Sequence, residues 1–518
     1  MAIILPGFIV TLLLGGILSW IVAKQSHLYA RWISLLTLLA NFIAIIIIWI
    51  QNMKSPASGS SWILNFSVAW IPSFGINFHM ALDGLSLLLL SLTFFLGILS
   101  VLISWKEIQS RVGLYHFCLL WVLAGITGVF LTMDLFLFYF FWEVMLIPMF
   151  FLILIWGHEN RRYAAFKFFI FTQASGLLML LSILGLYFVH GGQTGIYSFD
   201  YFQLLGTALA PKIGMWLMLG FLVAFIVKLP AVPFHAWLPD AHSEAPTAGS
   251  LVLAALMLKT GAYGLLRFIV PLFRDAAMEI APWAMAIGVL GILYGALLAF
   301  SQTNLKRLVA YTSVSHMGFI MLGVFSFNEV AAQGVVMQMM AHGISTGALF
   351  ILAGMIYERI HTRDIREMGG FWMKMPFMGA TALVFTMATW GLPGLGNFVA
   401  EFLTLVGVWQ VAPMLTILAA IGLVAATAYS LRILQKVFYG SPVVSMELTD
   451  LSFRERIIMG ALVISIIWLG LFPQPVLNTS IEAVNVMLHP NNKVEASVLP
   501  SLKTGDAFSL REKGGSDE

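Results

Sequence analysis

From residue 3 to residue 473 the chain alternates long apolar runs with short polar punctuation. A helix needs roughly 20 apolar residues to cross a bilayer core, and by that length the runs number about fourteen. None shows the period-2 alternation of a membrane barrel strand, so the pattern predicts helices. The fold class is therefore an all-α polytopic membrane protein. Two runs carry an interruption: 213–235 contains "KLPAVP" at 228–233, and 376–410 contains "GLPGLG" at 391–396. Proline lacks a backbone N–H and glycine weakens the ladder, so both runs are expected to be discontinuous helices, the seventh and the twelfth. The breaks lie five spans apart, so the blocks that hold them enter the membrane from opposite sides, as in an inverted repeat with its transport site at the breaks. This divides the chain into an N-terminal three-span unit (1–110), a first five-span repeat (111–273), a second (279–440), a final span with its flanks (441–489) and a polar tail (490–518) expected to be disordered. The stretch 52–75 reads as a surface loop.

Composition agrees with lipid as the solvent. Of 518 residues, 60% are hydrophobic and 10% charged, more apolar surface than one soluble core can hide. The apolar N-terminal run lacks a basic leader and exceeds a signal peptide's length, so it is expected to be a retained span. Lys24, Arg31, Lys106, Arg111, Arg161, Arg162, Lys306, Arg307 and Arg363 all fall in loops after odd-numbered spans. The positive-inside rule places those loops in the cytoplasm (or an organelle's matrix), and both termini on the opposite face, the periplasmic one for a bacterial inner membrane. The net charge of +3 carries no basic patch, so no nucleic-acid partner is expected. A single cysteine, Cys118, excludes a disulfide framework, a cysteine-ligated iron–sulfur cluster and a CxxC redox pair. There is no dinucleotide fingerprint or flavin motif, and neither a cofactor nor a metal is assigned to this chain.

A few ionisable residues stay inside the apolar runs: Glu143, Lys228, Lys259, His316, His342 and Glu401. Each charge at mid-membrane costs at least about 2.5–3.5 kcal/mol, so such groups pair or line a wet cavity. Glu143 can hold Lys228, Lys259 can hand protons on, and Glu401 can accept them; a lysine that gains and loses a carboxylate partner is a proton switch. The breaks support this: Pro230 and Pro233 free carbonyls beside Lys228, and Gly391, Pro393, Gly394 and Gly396 do so beside Glu401. Plainer readings stand alongside. The Glu143–Lys228 pair can simply pin two helices, and His316 and His342 can be satisfied core residues, a proton relay or a bis-histidine haem pair. Asp83 and Asp134 read as helix N-caps, Lys306 and Arg307 as interface markers, and Asp240, His242 and Glu244, placed in a loop, as solvated polar residues in preference to a proton entry.

At "FFWEVMLIPMF", "KLPAVPFHAWLPDAHSEAPTAGS", "LVAYTSVSHMGF" and "GLPGLGNFVAEF" the chain resembles the antiporter-like subunits of respiratory complex I, with "LDGLSLLLL" and "YERIHTRDIREMGG" in further support. The resemblance runs from the first span to about residue 475. It implies fourteen helices with inverted repeats of spans 4–8 and 9–13, and proton movement along a central polar axis. Glu143 becomes the ion-pair carboxylate, Lys228 the switching lysine, Lys259 the connecting lysine, His316 and His342 the linking relay, and Glu401 the terminal group. The glutamate at 401, where L- and N-type siblings are expected to carry lysine, points to the M-type branch, as does a chain ending soon after span 14. The function implied is proton pumping in NADH-quinone oxidoreductase, with NADH, FMN, iron–sulfur clusters and quinone in partner subunits, and L- and N-type chains as neighbours. A multi-subunit sodium/proton antiporter and a membrane-bound hydrogenase share the same motifs, and a passive membrane anchor is the rival from another class.

Overall fold

The computed structural model describes residues 2–54, 62–440 and 448–490. All but Pro490 of the polar tail expected to be disordered lies outside them. The helices are α1 (Ile4–Val22), α2 (His27–Lys54), α3 (Gly84–Glu107), α4 (Val112–Leu131), α5 (Leu135–Trp156), α6 (Arg161–Thr194), α7 (Pro211–Lys228), α8 (Trp237–Glu244) and α9 (Thr247–Leu272). They continue with α10 (Arg274–Ser301), α11 (Leu305–Val324), α12 (Glu329–Ile360), α13 (Pro376–Thr389), α14 (Gly396–Trp409), α15 (Pro413–Phe438), α16 (Phe453–Leu471) and α17 (Gln474–Leu488). Among the described residues, eleven helices are long and apolar enough to cross a membrane, twelve if α16 and α17, bent by 68°, form one span. The expected fourteen needs two more: α11, whose run is more polar, and the short pair α13 and α14.

Polar side chains set the helix ends. Asp83 accepts from Ser86 N, Asp134 from Phe136 N and Leu137 N, Asn304 from Arg307 N, and Asn328 from Val330 N and Ala331 N. Each satisfies donors that an N-terminus leaves open. The N-cap reading of Asp83 and Asp134 therefore holds. Both expected interruptions are present: helix stops at Lys228 and resumes at Trp237, and stops at Thr389 and resumes at Gly396.

Two expectations are corrected here. The stretch expected as a surface loop contains a β-strand, β1 (Trp62–Ile71), paired antiparallel with β2 (Ile76–Asp83). Its alternation is short, and no Asn-Gly or Asp-Gly turn marks the hairpin, so neighbouring apolar runs mask it. Asp240, His242 and Glu244 are not solvated loop residues. They lie on α8, and His242 and Glu244 are buried.

The hairpin is stitched onto the ends of α4 and α5. Met133 N donates to His79 O at 2.9 Å, Tyr201 N to Met133 O at 2.7 Å, and Asn77 N to the Asp134 carboxylate at 2.9 Å. His79 bonds Asp200 directly. Burial pushes the Asp134 carboxyl up to about 6, against the backbone N–H groups that favour its charged form. At the same end of the molecule α17 ties α2 to α12: Trp49 donates to Thr479 at 2.9 Å and Ser480 to Gln333 at 2.9 Å.

Large apolar side chains such as Leu14, Trp216, Leu297 and Val424 face outward, as a lipid solvent requires. The helices α9 and α12 are enclosed by protein along their length. They carry Lys259 and His342.

Candidate functional site: a buried polar axis

Lys259 and His342 meet where α9 passes α12. Lys259 Nζ lies 2.8 Å from Ala254 O and 2.7 Å from His342 Nδ1. Neither side chain has measurable exposure. One turn of π-helix, Leu253–Met257, precedes the lysine, and such turns loosen the regular ladder and cluster at functional positions. An ammonium only donates, so His342 Nδ1 accepts and its Nε2 carries the hydrogen. That Nε2 has no partner among the described residues.

The His342 ring lies 5.6 Å from the ring of His316, at 69°. His316, on α11, bonds Glu401 of α14 through Nδ1 and Oε1 at 2.8 Å, and its Nε2 lies 3.4 Å from the Tyr429 hydroxyl. With Nδ1–H donating to the carboxylate, Nε2 is the ring's open acceptor. The second Glu401 oxygen has no partner among the described residues. It faces the break between α13 and α14: a Cβ on Gly391 would lie 3.0 Å from it, and Gly391 has a φ of +78°. Glycine there provides both the turn and the room.

Lys228 ends α7 and is buried. Its Nζ has no hydrogen-bond partner among the described residues and sits over the rings of Trp142 at 5.0 Å and Phe168 at 5.7 Å. The direct Glu143–Lys228 pair expected from sequence is not formed. An aromatic cage holds the ammonium, while half-buried Glu143 turns Oε1 toward Gly176 of α6, where a Cβ would lie 3.0 Å away. Two contacts position Lys228. The indole of Trp237, first residue of α8, donates to Val227 O at 2.9 Å and so staples the two halves of the broken helix. A Cβ on Gly261 would lie 2.7 Å from Phe225 O, so glycine lets α7 press onto α9 beside Lys259.

Beyond α8 a second set of charges is packed. Asp240 accepts from Lys167 at 2.6 Å and Arg307 at 2.5 Å, Lys306 donates to Ala245 O at 2.9 Å, and Arg363 meets Glu244 at 3.5 Å. Lys306, expected to mark an interface, is buried within the chain. Burial, followed by the charges of Lys306 and Arg363, pushes the His158 ring down to about 3, so it is neutral at physiological pH. An open cleft of about 580 Å³, lined by Lys106, Glu107, His158, Thr247 and Glu358 among others, reaches the first residue of α9.

The structure thus brings Lys259, His342, His316 and Glu401 into one series and leaves Lys228 and Glu143 as near neighbours without a direct bond. Sequence reasoning missed Tyr429, Trp237, Gln338 and Asn397, and misplaced His242. The last three are buried with polar atoms that have no partner among the described residues. The signal available for them was a polar residue inside an apolar run, the rule that found the charged ones. No group of three or more possible metal ligands occurs among the described residues.

The family described as NADH:quinone oxidoreductase/Mrp antiporter, TM matches residues 132–427. The chain belongs to that family. It is 52% identical to NADH-quinone oxidoreductase subunit M of Pseudomonas aeruginosa over 492 residues, covering 93% of this chain and 97% of the relative. The subunit M of Escherichia coli K12 is 50% identical over the same coverage. Among solved structures, respiratory complex I from Thermus thermophilus with bound NADH contains a chain 30% identical, with a TM-score of 0.80, covering 92% of this chain and 99% of that one. An Mrp complex from Dietzia has a chain with TM-score 0.84 at 19% identity, covering 95% of this chain and 99% of its own, which is likeness of fold alone.

Proposed function

We propose that this chain is the antiporter-like, proton-translocating membrane subunit of an NADH-quinone oxidoreductase, with the buried axis as its proton path. The observation that carries the reading is the series of Lys259, His342, His316 and Glu401, two hydrogen-bonded pairs joined by a histidine ring contact, in the protein-enclosed centre of a membrane bundle. A proton on the Lys259 ammonium passes to His342 Nδ1, and the ring releases another from Nε2. The two rings meet edge to face with centroids 5.6 Å apart, and the proton crosses from His342 Nε2 to His316 Nε2 by a short hop that ring reorientation or a single water completes. His316 then gives Nδ1–H to Glu401, whose second oxygen faces the helix break.

Lys228 is the switch in this reading. Its cage stabilises a cation only in part, and Glu143 directly follows the caging Trp142 on α5. Moving the ammonium toward Glu143 holds its proton, and moving it back toward Trp142 and Lys259 releases it. Two inverted repeats (111–273 and 279–440) and a fourteen-crossing topology fit the breaks after Lys228 and Thr389, with α11 and the α13–α14 pair as the extra crossings. The chain holds no redox group in this reading. NADH, FMN, iron–sulfur clusters and quinone belong to partner subunits, and L- and N-type chains flank it in a bacterial inner membrane, both termini periplasmic. The sodium/proton antiporter reading is weaker, since the relatives at 50–52% identity are all oxidoreductase subunits.

The test is Lys228→Met in the whole complex. The expected result is normal assembly, with pumping and coupled quinone reduction each lowered about tenfold or more, the factor a lost 1.4 kcal/mol in the barrier step makes. Pumping and quinone reduction at the parental rates in an assembled Lys228→Met complex would remove the switch role.

A further inference from the structure

Helix α9 carries a second buried cation that the proton path does not use. Lys259, Tyr263 and Arg267 recur at helical spacing on one face of α9, forming a polar stripe that runs from the buried axis toward the β1–β2 hairpin. Arg267 is buried and bonds the carboxylate of Asp83, the last residue of β2. Its Nε lies 3.3 Å from the Tyr263 hydroxyl, which donates to Phe130 O at 3.2 Å. The guanidinium is covered by the rings of Trp62 at 5.0 Å and Tyr263 at 5.3 Å. A second π-turn, Leu265–Ile269, contains this arginine as the first one precedes the lysine. A stripe with a loosened ladder at both ends is a ready path for water, and it leads away from the axis to the hairpin face.

We propose that Arg267 is a fixed-charge barrier that closes this stripe to protons, so that charge on Lys259 cannot leak to the hairpin side. Arginine suits the task because it does not deprotonate in proteins and cannot relay a proton. A fixed cation in a narrow polar passage excludes protons electrostatically. Asp83 anchors the guanidinium while it caps α3, and the hairpin backbone, sewn to residues 133 and 199, seats Asp83. The role rests on the reading that Lys259 carries protons. It differs from a purely structural ion pair in one respect: only the cation, not the pair, keeps the stripe shut.

The experiment uses the whole oxidoreductase reconstituted in liposomes. Passive proton flux is driven by a potassium gradient with valinomycin and read by an internal pH dye, without NADH, so that it reports the barrier separately from pumping. Arg267→Gln is expected to raise passive flux about tenfold, the factor that a unit charge ~12 Å away at an effective dielectric of ~20 supplies. Asp83→Asn, which keeps the arginine cation in place, is expected to stay as tight as the parent. The double variant Arg267→Gln/Asp83→Asn leaves no unpaired buried charge and should assemble even where the single arginine variant does not; it is expected to leak as well. Tight arginine-less variants, or equal leak from Asp83→Asn and Arg267→Gln, would overturn the barrier and leave a structural pair. If instead Lys259→Met pumped normally while the arginine variants leaked, the barrier would stand and the path proposed for Lys259 would fall.

Discussion

Replacing Lys259 with methionine separates the lysine's part in stability from its part in proton movement. The side chain keeps its length and loses the ammonium, so Ala254 O and His342 Nδ1 lose the partner now 2.8 and 2.7 Å away. Hydrogen bonds to a charged donor contribute about 1.5–3 kcal/mol each, a loss of about 3–6 kcal/mol. Against this, the substitution removes a buried cation whose desolvation costs several kcal/mol. The two terms are of similar size, so the net change in stability is expected to lie within about 2 kcal/mol of zero, and the complex assembles. Pumping has no such compensation, because methionine holds no proton. Lys259→Arg sharpens the point: it restores the charge yet cannot release a proton, so it too should assemble and fail to pump. The assay is dye-reported acidification of inverted membrane vesicles on NADH addition, alongside quinone reduction and the melting temperature of the purified complex. A pumping arginine variant would refute the argument, since it would show that the position needs only charge.

Three further outcomes follow from the same geometry. Glu143→Gln should impair pumping about as much as the lysine switch variant, and Glu143→Asp less, because it keeps the charge but shortens the reach; vesicle acidification per NADH checks both. Trp237→Phe removes the indole that satisfies Val227 O and should cost about 1–3 kcal/mol, read as a lower melting temperature. The same variant frees the two halves of the broken helix, so pumping should fall while NADH oxidation with a soluble electron acceptor stays unchanged.

The positions of the chemistry were legible in the sequence, but their partners were not. Glu143, Lys228, Lys259 and Glu401 stand out because apolar neighbours on both sides make a charge costly, and cost is a local property of the sequence. Bonding is not local. Whether Lys228 meets Glu143 or an aromatic cage depends on side-chain placement between α5, α6 and α7, and the close approach at Gly261 fixes which atoms face each other. The hairpin was hidden because its ten-residue strand β1 sits between longer apolar runs, and its partner strand merges with the start of α3. Arg267 escaped notice because a cation near the end of a span reads as an interfacial charge that can reach water. In the structure that span end is roofed by the hairpin, a tertiary arrangement no local pattern contains.

The enclosure of α9 has a consequence for biogenesis. A helix bearing Lys259 and Arg267 would meet an insertion penalty of about 5–7 kcal/mol if delivered singly into hydrocarbon. Such a segment cannot rest alone in lipid while awaiting its neighbours. It must leave the insertion machinery together with α7 and the later helix that supplies His342, so the middle of the bundle matures as one cooperative unit after much of the chain has been synthesised.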